Sequence, residues 1–441
     1  MKAIVHLELN ELNFNYIKEY VASGKLPGFK KILEGGFYTT RADEEYKNLE
    51  PWIQWPTVYR GQSFDKHGIF RLGDAVYNQA PQLWDKMEQK GLAVEALFPM
   101  NAVNSLAKSN LFLPDPWTNT TVLAPTHLRW LYDFVRASVL NNSKGSISVW
   151  AAIKALPGIV SIGDIKFWKS TLTLFRASLK YPRVYRPIVL DLIVFQLLKS
   201  RVNGRHKLHY ISAFMNAGAH LQHHYYFDSA VNTTNFTNPK WYSPVPNKEI
   251  DPLFELYSFY DSVVDQLISM DIELFITTGL SQKPNQTVYH QYRAVDFDSI
   301  AKLCKAGMEN ILVKYRMSRD FEITSTKEEY ISLLKNELVE FKIDGEGVFT
   351  VDDREHSLFC KVSYNGEPEG LSNVAYRGDF YDLTDSFVHV SIENQIHTDI
   401  GYFADPEGIL DEKIKSNSFA LEDLHNLLLN HVYEKNSVQN V

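Results

Sequence analysis

The sequence is poor in cysteine, in long apolar runs and in positive charge, and each shortage excludes a class of protein. Its 441 residues include only two cysteines, Cys304 and Cys360, which are too few for a disulfide framework or a thiolate metal site. The most apolar run, Ile188 to Leu198, contains Asp191 and is too short to cross a bilayer. The net charge of −8 argues against a nucleic-acid partner.

The N-terminal residues also lack the features of a targeting segment. A secretory signal needs a long apolar core, and here Glu8 and Asn10 interrupt it. We therefore expect a soluble, cytoplasmic protein. The length suits one large domain with insertions or two domains, and a hydrophobic fraction of 45% is enough for a large core.

Strand and helix patterns alternate through much of the chain. Residues 3–9 are almost continuously apolar, which is typical of a buried parallel strand. Residues 10–13 then predict a turn and a helix start, because Asn is a good N-cap. A helix over 81–90 and a strand over 92–97 follow. This order predicts an α/β fold with a mostly parallel sheet flanked by helices, over a core domain of residues 1–310.

Residues from about 125 to 205 break this rhythm and predict a helical insertion into the core. Between residues 165 and 207 Asp191 is the one acid, against these basic residues: Lys166, Lys169, Arg176, Lys180, Arg183, Arg186, Lys199, Arg201, Arg205 and Lys207. Three interpretations of this excess remain open. It is a solvated helix surface, a lid that attracts an anionic substrate, or a patch that rests on an anionic membrane.

The C-terminal third predicts a second architecture. Residues 311–385 combine one helical segment with several short strand segments, and they indicate a smaller α+β subdomain. Residues 386–441 are expected to return to the core. In this prediction Phe387–Ile392 forms a strand of the main sheet and a helix ends the chain.

Five segments carry a family resemblance by their order and spacing. They read LELNELNFNYIKEYVASGKLPGFKKILEGG from Leu7, EPWIQWPTVYRGQSFDKHGIFRLGD from Glu50, FMNAGAHLQHHYYFDS from Phe214, FITTGLSQ from Phe275 and HTDIGYFAD from His397. Together they span about residues 3–405 and resemble the type I phosphodiesterase and nucleotide pyrophosphatase branch of the alkaline phosphatase-like superfamily. The resemblance implies an alkaline-phosphatase-like fold.

The resemblance also implies a site of two divalent metals, usually zinc, with a Thr or Ser nucleophile. Asn10 stands where that branch has a metal-binding Asp, and Pro51 stands at the nucleophile position. Gly279 and Leu280 occupy the places of an Asp and a His. The second metal and the covalent phosphoryl intermediate are therefore lost.

The other metal position is altered but keeps its imidazoles. By the resemblance, His220 and His397 match the two histidines and Asn216 replaces a carboxylate. His224 and Asp399 are candidates for a further ligand. Two imidazoles suit a single divalent ion such as zinc or manganese. The alternative is that individual histidines of this set are hydrogen-bonded structural groups.

The acids beside the replaced positions suggest catalytic roles. Glu50 precedes Pro51, and a carboxylate at the carboxyl edge of a parallel sheet lies where such sheets bind ligands. We predict Glu50 and His220 as an acid–base pair, with His223 as a further catalytic candidate. The alternative for Glu50 is a capping carboxylate. The candidate substrate-binding residues are Glu8, Asn10, Gln54, Asn216 and Gln282.

These residues predict an unconventional hydrolase or transferase that acts on a small, anionic, phosphate-containing metabolite. A nucleotide- or lipid-linked sugar of surface polysaccharide assembly is one such substrate. The alternative is a catalytically inactive scaffold that binds an anionic ligand or a membrane surface. In both cases we expect no nucleic-acid partner, and the basic insertion is the candidate for peripheral membrane contact.

Overall fold

The computed structural model describes residues 2–109, 111–140, 149–204, 208–306, 310–315, 319–354 and 356–437. Contacts divide the chain into two compact units, one of Met1–Pro284 with Gln395–Val441 and the other of Asn285–Asn394. The first unit contains a large mixed α/β arrangement, and the second contains a smaller α+β arrangement.

Strands and helices are numbered in chain order. The strands are β1 (Ala3–Leu9), β2 (Phe37–Arg41), β3 (Val94–Leu97), β4 (Phe112–Leu113), β5 (Tyr210–Met215), β6 (Ile272–Thr277), β7 (Ser281–Pro284), β8 (His290–Ala294), β9 (Ile311–Tyr315), β10 (Asp320–Ser325), β11 (Lys342–Ile343), β12 (Glu346–Gly347), β13 (Phe349–Asp353), β14 (Ser357–Val362), β15 (Val374–Tyr376), β16 (Asp379–Tyr381), β17 (Phe387–Ile392), β18 (Gln395–Thr398), β19 (Ile400–Ala404) and β20 (Ser418–Ala420). The helices are α1 (Phe14–Ala22), α2 (Pro27–Gly35), α3 (Pro51–Arg60), α4 (Phe64–His67), α5 (Leu83–Gln89), α6 (Thr126–Leu140), α7 (Val149–Ile162), α8 (Ile165–Lys180), α9 (Pro182–Val202), α10 (Ala217–Tyr225), α11 (Pro252–Ile268), α12 (Asp298–Leu303), α13 (Glu328–Leu338) and α14 (Asp423–Ser437).

The first unit is built on an eight-stranded sheet in the order β20-β2-β19-β6-β1-β5-β3-β4. Neighbouring strands are parallel except at β19, which runs antiparallel to β2 and β6. Strands β7 and β18 form a separate antiparallel ribbon. The predicted α/β class, with a mostly parallel sheet flanked by helices, is confirmed.

Strand β1 lies at the centre of this sheet, between β5 and β6. Residues 4–9 are all buried, because both faces of a parallel sheet are covered and each position of the strand is in the interior. Asn13 then caps α1, and its side-chain oxygen accepts a hydrogen bond from the backbone N–H of Asn15 at 2.8 Å. The predicted strand and the Asn-capped helix start both appear at these positions.

Helices α6 to α9 occupy the region of the predicted insertion. Arg205 and Lys207, which belong to the basic set, lie outside the described residues. Helix α9 packs on β5, α10 and α11 and so joins the insertion to the main sheet. Among the helices of the described ranges, none combines the length and the apolar character that a membrane crossing requires.

The second unit spans residues 285–394, against the predicted subdomain of 311–385. It contains the four-stranded sheets β13-β14-β10-β9 and β12-β11-β15-β16. Helix α13 packs on the first of these sheets through Leu334 and Leu338, which join Phe321, Phe341 and Leu358 in one apolar core.

One strand assignment was wrong. Phe387–Ile392 forms a strand as predicted, but β17 pairs with β8 in a two-stranded sheet and does not join the main sheet. Its central residues are partly exposed, which suits a ribbon with one open face. The return to the main sheet comes later, at the almost fully buried β19.

Candidate functional site

Three side chains of the first unit converge at one point: Glu11, His223 and His397. Glu11 Oε2 lies 3.0 Å from His223 Nε2 and 3.1 Å from His397 Nε2, and the two Nε2 atoms are 3.0 Å apart. Within the described residues, these three form the one group of three or more His, Cys, Asp or Glu ligand atoms lying mutually within 4.8 Å. We call this group the Glu–His–His cluster.

Glu11 reaches the cluster through an unusual backbone. Its φ of 59° lies in the left-handed region, which L-residues with a side chain rarely adopt. The surroundings hold this conformation at both ends of the residue. The Glu11 N–H donates to the carbonyl of Thr278 at 3.0 Å, and its carbonyl accepts from Gln222 Nε2 at 2.8 Å. A strained conformation that is fixed in this way at a polar cluster is typical of functional sites.

Strand pairing brings the other two residues to the same edge. Strands β1 and β5 are parallel, and their register ends with Leu9 opposite Met215. Glu11 and the start of α10 therefore emerge together at the carboxyl edge of the sheet, where α/β proteins bind ligands. Across the ribbon, His397 on β18 lies opposite Gln282 on β7.

The partners of the two Nδ1 atoms fix which imidazole nitrogens face the cluster. His223 Nδ1 donates to the carbonyl of Gln395 at 2.9 Å, and His397 Nδ1 faces Glu50 Oε2 at 3.5 Å. A ring protonated at Nε2 donates to Glu11, whereas a ring protonated at Nδ1 alone would present the Nε2 lone pair to an ion bound at the cluster. This is the arrangement of metal-ligating histidines, whose other nitrogen donates to a carbonyl or a carboxylate.

The charges of the cluster favour a cation at its centre. Burial alone would raise the pKa of Glu11, but the charges of His397 and His223 and their hydrogen bonds hold that pKa well below its usual range. Glu11 is therefore ionised. Two imidazolium rings with Nε2 atoms 3.0 Å apart would repel each other, whereas a cation between the three atoms would attract each one.

The donor set and spacing fit a single divalent metal. Two imidazole nitrogens with one carboxylate oxygen form a known catalytic zinc set that leaves one position open. Ligands at about 2.1 Å from a tetrahedral zinc lie about 3.4 Å from one another, close to the 3.0–3.1 Å separations of the Glu–His–His cluster. Imidazole nitrogen binds zinc more tightly than manganese, so this donor set fits zinc better than manganese.

The predicted ligand set shares only His397 with this cluster. The rings of His220 and His224 lie 4.4 Å apart, and His224 Nδ1 forms a hydrogen bond with the Tyr242 hydroxyl at 2.6 Å. Burial, with a smaller contribution from His223, lowers the pKa of His220 to about 4. Asp399 pairs with Arg41 at 2.9 Å.

Glu50, predicted to pair with His220, lies instead beside His397. Its side chain is 35% exposed, and it occupies the N-cap of α3 without a capping hydrogen bond from that side chain. His223, predicted as catalytic, is a member of the Glu–His–His cluster. Glu11 was not predicted. The sequence signal for Glu11 was an acid directly after Asn10. The left-handed backbone of Glu11, however, cannot be inferred from residue types.

Asn10 joins a set of hydrogen bonds at the position where the sequence resemblance implies a metal ligand. Its Oδ1 accepts from Trp55 Nε1 at 2.7 Å, and its Nδ2 donates to Asn216 Oδ1 at 2.8 Å and to Glu11 Oε1 at 3.1 Å. A Cβ on Gly279 would lie 3.0 Å from the Trp55 ring. The indole and the two amides therefore fill this side of the site with neutral side chains.

The other predicted substrate-binding residues have different surroundings. Gln282 is fully buried, and its Nε2 donates to Glu11 Oε2 and to the carbonyl of Ala219. Glu8 is also fully buried and accepts from the Tyr59 hydroxyl at 2.7 Å. Gln54 is 1% exposed and donates to a backbone carbonyl at 2.8 Å. Glu8 and Gln54 thus belong to the interior, whereas Gln282 positions Glu11.

Asp191 connects the helical insertion to the helix that carries His223. From α9 it accepts hydrogen bonds from the N–H groups of Asn216 and Ala217, at 3.2 and 2.9 Å, and from the Tyr260 hydroxyl at 2.6 Å. Its carboxyl group lies at the N-terminus of α10, where acceptors satisfy the free N–H groups. Burial raises the pKa of Asp191 to about 6.

Replacing Asp191 by Ala is expected to lower the free energy of unfolding by about 2 kcal/mol, because buried donors lose their acceptor. Urea unfolding near pH 4, close to the pKa of an Asp in the unfolded chain, measures this effect with little cost from the raised pKa of Asp191. The matched control is Asp164→Ala, which removes the exposed N-cap of α8 and should cost about 0.5–1 kcal/mol. Equal losses of unfolding free energy in Asp191→Ala and Asp164→Ala would contradict the role of Asp191 as the buried acceptor at the N-terminus of α10.

Solved structures match this chain along most of its length at low sequence identity. Murine ectonucleotide pyrophosphatase / phosphodiesterase 5 matches with a TM-score of 0.43 and 11% identity, over 98% of this chain and 95% of that chain. The human protein of the same name matches with a TM-score of 0.41, 11% identity and the same coverage. Phosphonoacetate hydrolase from Sinorhizobium meliloti 1021 matches with a TM-score of 0.39 and 11% identity, over 98% and 96% of the two chains.

No family model and no curated protein matches the sequence. At 11% identity and TM-scores of 0.39–0.43, the roles of the residues at this site rest on their own geometry.

Proposed function

We propose that the chain is an enzyme that acts on a phosphoester with one divalent metal ion, and without a covalent phosphoryl intermediate. The observation that carries the proposal is the Glu–His–His cluster, in which three ligand atoms lie 3.0–3.1 Å apart. Glu11, His223 and His397 would hold the ion, and zinc or manganese suits these ligands. The motif resemblance supports the choice of a phosphate-containing substrate.

A divalent cation held by these residues would polarise a phosphoryl oxygen as a Lewis acid. The side chains around it have separate tasks. Glu11 supplies the negative charge, while Gln282 and Asn10 donate to its two oxygens and fix their direction. Glu50 faces His397 Nδ1 and holds that ring with Nε2 toward the cluster.

The position of Pro51 supports a direct displacement. This residue occupies the place of the resembled nucleophile, and it begins α3 with its side chain buried. A proline has no group that could accept a phosphoryl group, so the attacking oxygen has to come from water or from an acceptor molecule. Both hydrolysis and transfer fit this arrangement. We propose a nucleotide-linked or lipid-linked sugar, as used in surface polysaccharide assembly, as the first substrate class to test.

The experiment combines metal analysis with turnover. The purified chain is expected to contain one zinc or manganese ion, and its turnover of a phosphodiester and sugar-diphosphate panel should be lost with a chelator and restored by the metal. His223→Ala should lose both metal and turnover, whereas the control His127→Ala, on α6, should keep them. Metal-free protein that anionic ligands stabilise but that turns none of them over would instead support an inactive binding scaffold.

Glu50→Gln is expected to lower kcat by about 10–100-fold while the metal content stays at that of the wild type. The reason is that the amide no longer holds His397 Nδ1–H as a carboxylate does, although the three ligands remain. Steady-state kinetics with metal analysis on the same sample tests this. Glu45→Gln, an exposed acid of the preceding segment, is the matched control. An unchanged kcat, or loss of the metal, would contradict the positioning role.

A further inference from the structure

Helix α8 carries an apolar stripe that faces solvent. Its members are spaced by three and four residues and are each between 44% and 77% exposed: Ile165, Trp168, Leu172, Phe175 and Leu179. Such a stripe on an amphipathic helix is normally the buried face. Helix α8 also packs on α9, and its buried side chain, Phe167, lies outside this stripe. The helix therefore has a second apolar face.

Helix α7, which precedes α8 by the two residues Gly163 and Asp164, has the same property. It packs on α6 through its small residues, and a Cβ on Gly158 would lie 2.5 Å from the carbonyl of His127. The side chains exposed on its outer surface are Trp150, Ile153, Leu156 and Val160, each between 47% and 73% exposed. Exposed apolar surface of this extent marks an interaction site.

The charge around these stripes has one sign. Within the bounds of α7 and α8 the charged residues are all basic: Lys154, Lys166, Lys169, Arg176 and Lys180. Asp164, between the two helices, is paired with Lys199 at 2.8 Å. In a chain of net charge −8, this face is a local region of positive charge, and it is complementary to an anionic surface.

We propose that α7 and α8 lie in the interface of an anionic lipid membrane, with their apolar stripes in the acyl boundary and their basic side chains at the headgroups. An apolar face bordered by Lys and Arg is the pattern of interfacial helices. Trp150 and Trp168 have the amphipathic rings that membrane interfaces favour. A second copy of the chain would place two basic faces against each other, and their repulsion disfavours that occupant.

The test is co-sedimentation of the full chain with vesicles of phosphatidylcholine alone or mixed with phosphatidylglycerol. We expect binding to the mixed vesicles, weakened by high salt. The triple variant Leu172→Ser, Phe175→Ser and Leu179→Ser should bind about 100-fold more weakly, because three large side chains no longer leave water. Changing Lys166, Lys169, Arg176 and Lys180 to Gln should weaken binding at low salt by at least about tenfold.

Each variant has a control matched for exposure. Leu312→Ser with Phe380→Ser removes exposed apolar side chains of the second unit, and changing Lys30, Lys47, Lys66 and Lys327 to Gln removes four cations elsewhere. Both controls should bind as the wild type does. The proposal would be overturned if the wild-type protein did not co-sediment with anionic vesicles. A dimer in sedimentation velocity that the triple serine variant dissociates would also overturn it, because a second copy would then cover this face.

Discussion

Replacing Glu11 by Gln is expected to lower the affinity for zinc or manganese by about 100-fold or more and to abolish metal-dependent turnover. The amide keeps the size of the side chain but removes the negative charge of the Glu–His–His cluster. An amide oxygen is a weaker ligand than a carboxylate, and loss of partners that only orient ligands already costs about 10–100-fold. Titration calorimetry of the metal-free protein with each metal measures the change.

Asp399→Asn is the matched control for Glu11→Gln. It makes the same carboxylate-to-amide change at a residue that the sequence suggested as a metal ligand. Because Asp399 pairs with Arg41, we expect its replacement to leave metal affinity unchanged. The comparison distinguishes two ligand sets. Weaker metal binding in Asp399→Asn, with normal binding in Glu11→Gln, would favour the set inferred from sequence and contradict the Glu–His–His cluster.

Glu8→Gln is expected to stabilise the protein above neutral pH and to have little effect near pH 5. Burial raises the pKa of Glu8 from 4.5 to about 8, although the hydrogen bond from Tyr59 opposes the shift. The folded state therefore keeps Glu8 protonated. This protonation costs no unfolding free energy below about pH 4.5, and its cost grows as the pH rises toward about 8. By pH 7 the cost is roughly 3 kcal/mol, at about 1.36 kcal/mol for each pH unit.

The neighbour of Glu8 does not remove this cost. His6 Nδ1 lies 3.4 Å from Glu8 Oε1, but burial lowers the pKa of His6 to about 3, so the ring is neutral. Urea unfolding of wild type and Glu8→Gln at several pH values between about 5 and 8 gives the difference in unfolding free energy. Glu19→Gln, an exposed acid of α1, should show no such trend. A constant difference between wild type and Glu8→Gln would mean that Glu8 is ionised in the folded protein.

The core of the fold could be predicted from sequence because its signals are local. The apolar run of β1 and the Asn13 cap give a strand and a helix start without reference to distant residues. The prediction of β17 failed for the opposite reason. Phe387–Ile392 has the composition of a strand, but its partner β8 is set by contacts almost a hundred residues away in the chain.

The site could be predicted in part. His397 was a candidate metal ligand through the family resemblance, and His223 was a catalytic candidate. Whether His220 or His223 reaches the Glu–His–His cluster depends on the direction in which α10 leaves β5. The position of Glu11 depends on a left-handed φ of 59°, which is stabilised by the hydrogen bond from its N–H to the Thr278 carbonyl and by the one that its own carbonyl accepts from Gln222 Nε2. These are properties of the folded backbone, and residue spacing does not encode them.

The hydrogen bond between Trp55 and Asn10 has a consequence for protein engineering. An Asn10→Asp substitution alone would place a carboxylate beside an indole that still occupies the same volume, against Gly279. Gly279, Leu280 and Pro51 would also have to change before any of them could help to hold an ion. Variants with only part of this set would carry a buried charge without a cation to balance it, which is costly. A second metal position therefore has to be designed as one combined set of substitutions, and it cannot be added one residue at a time.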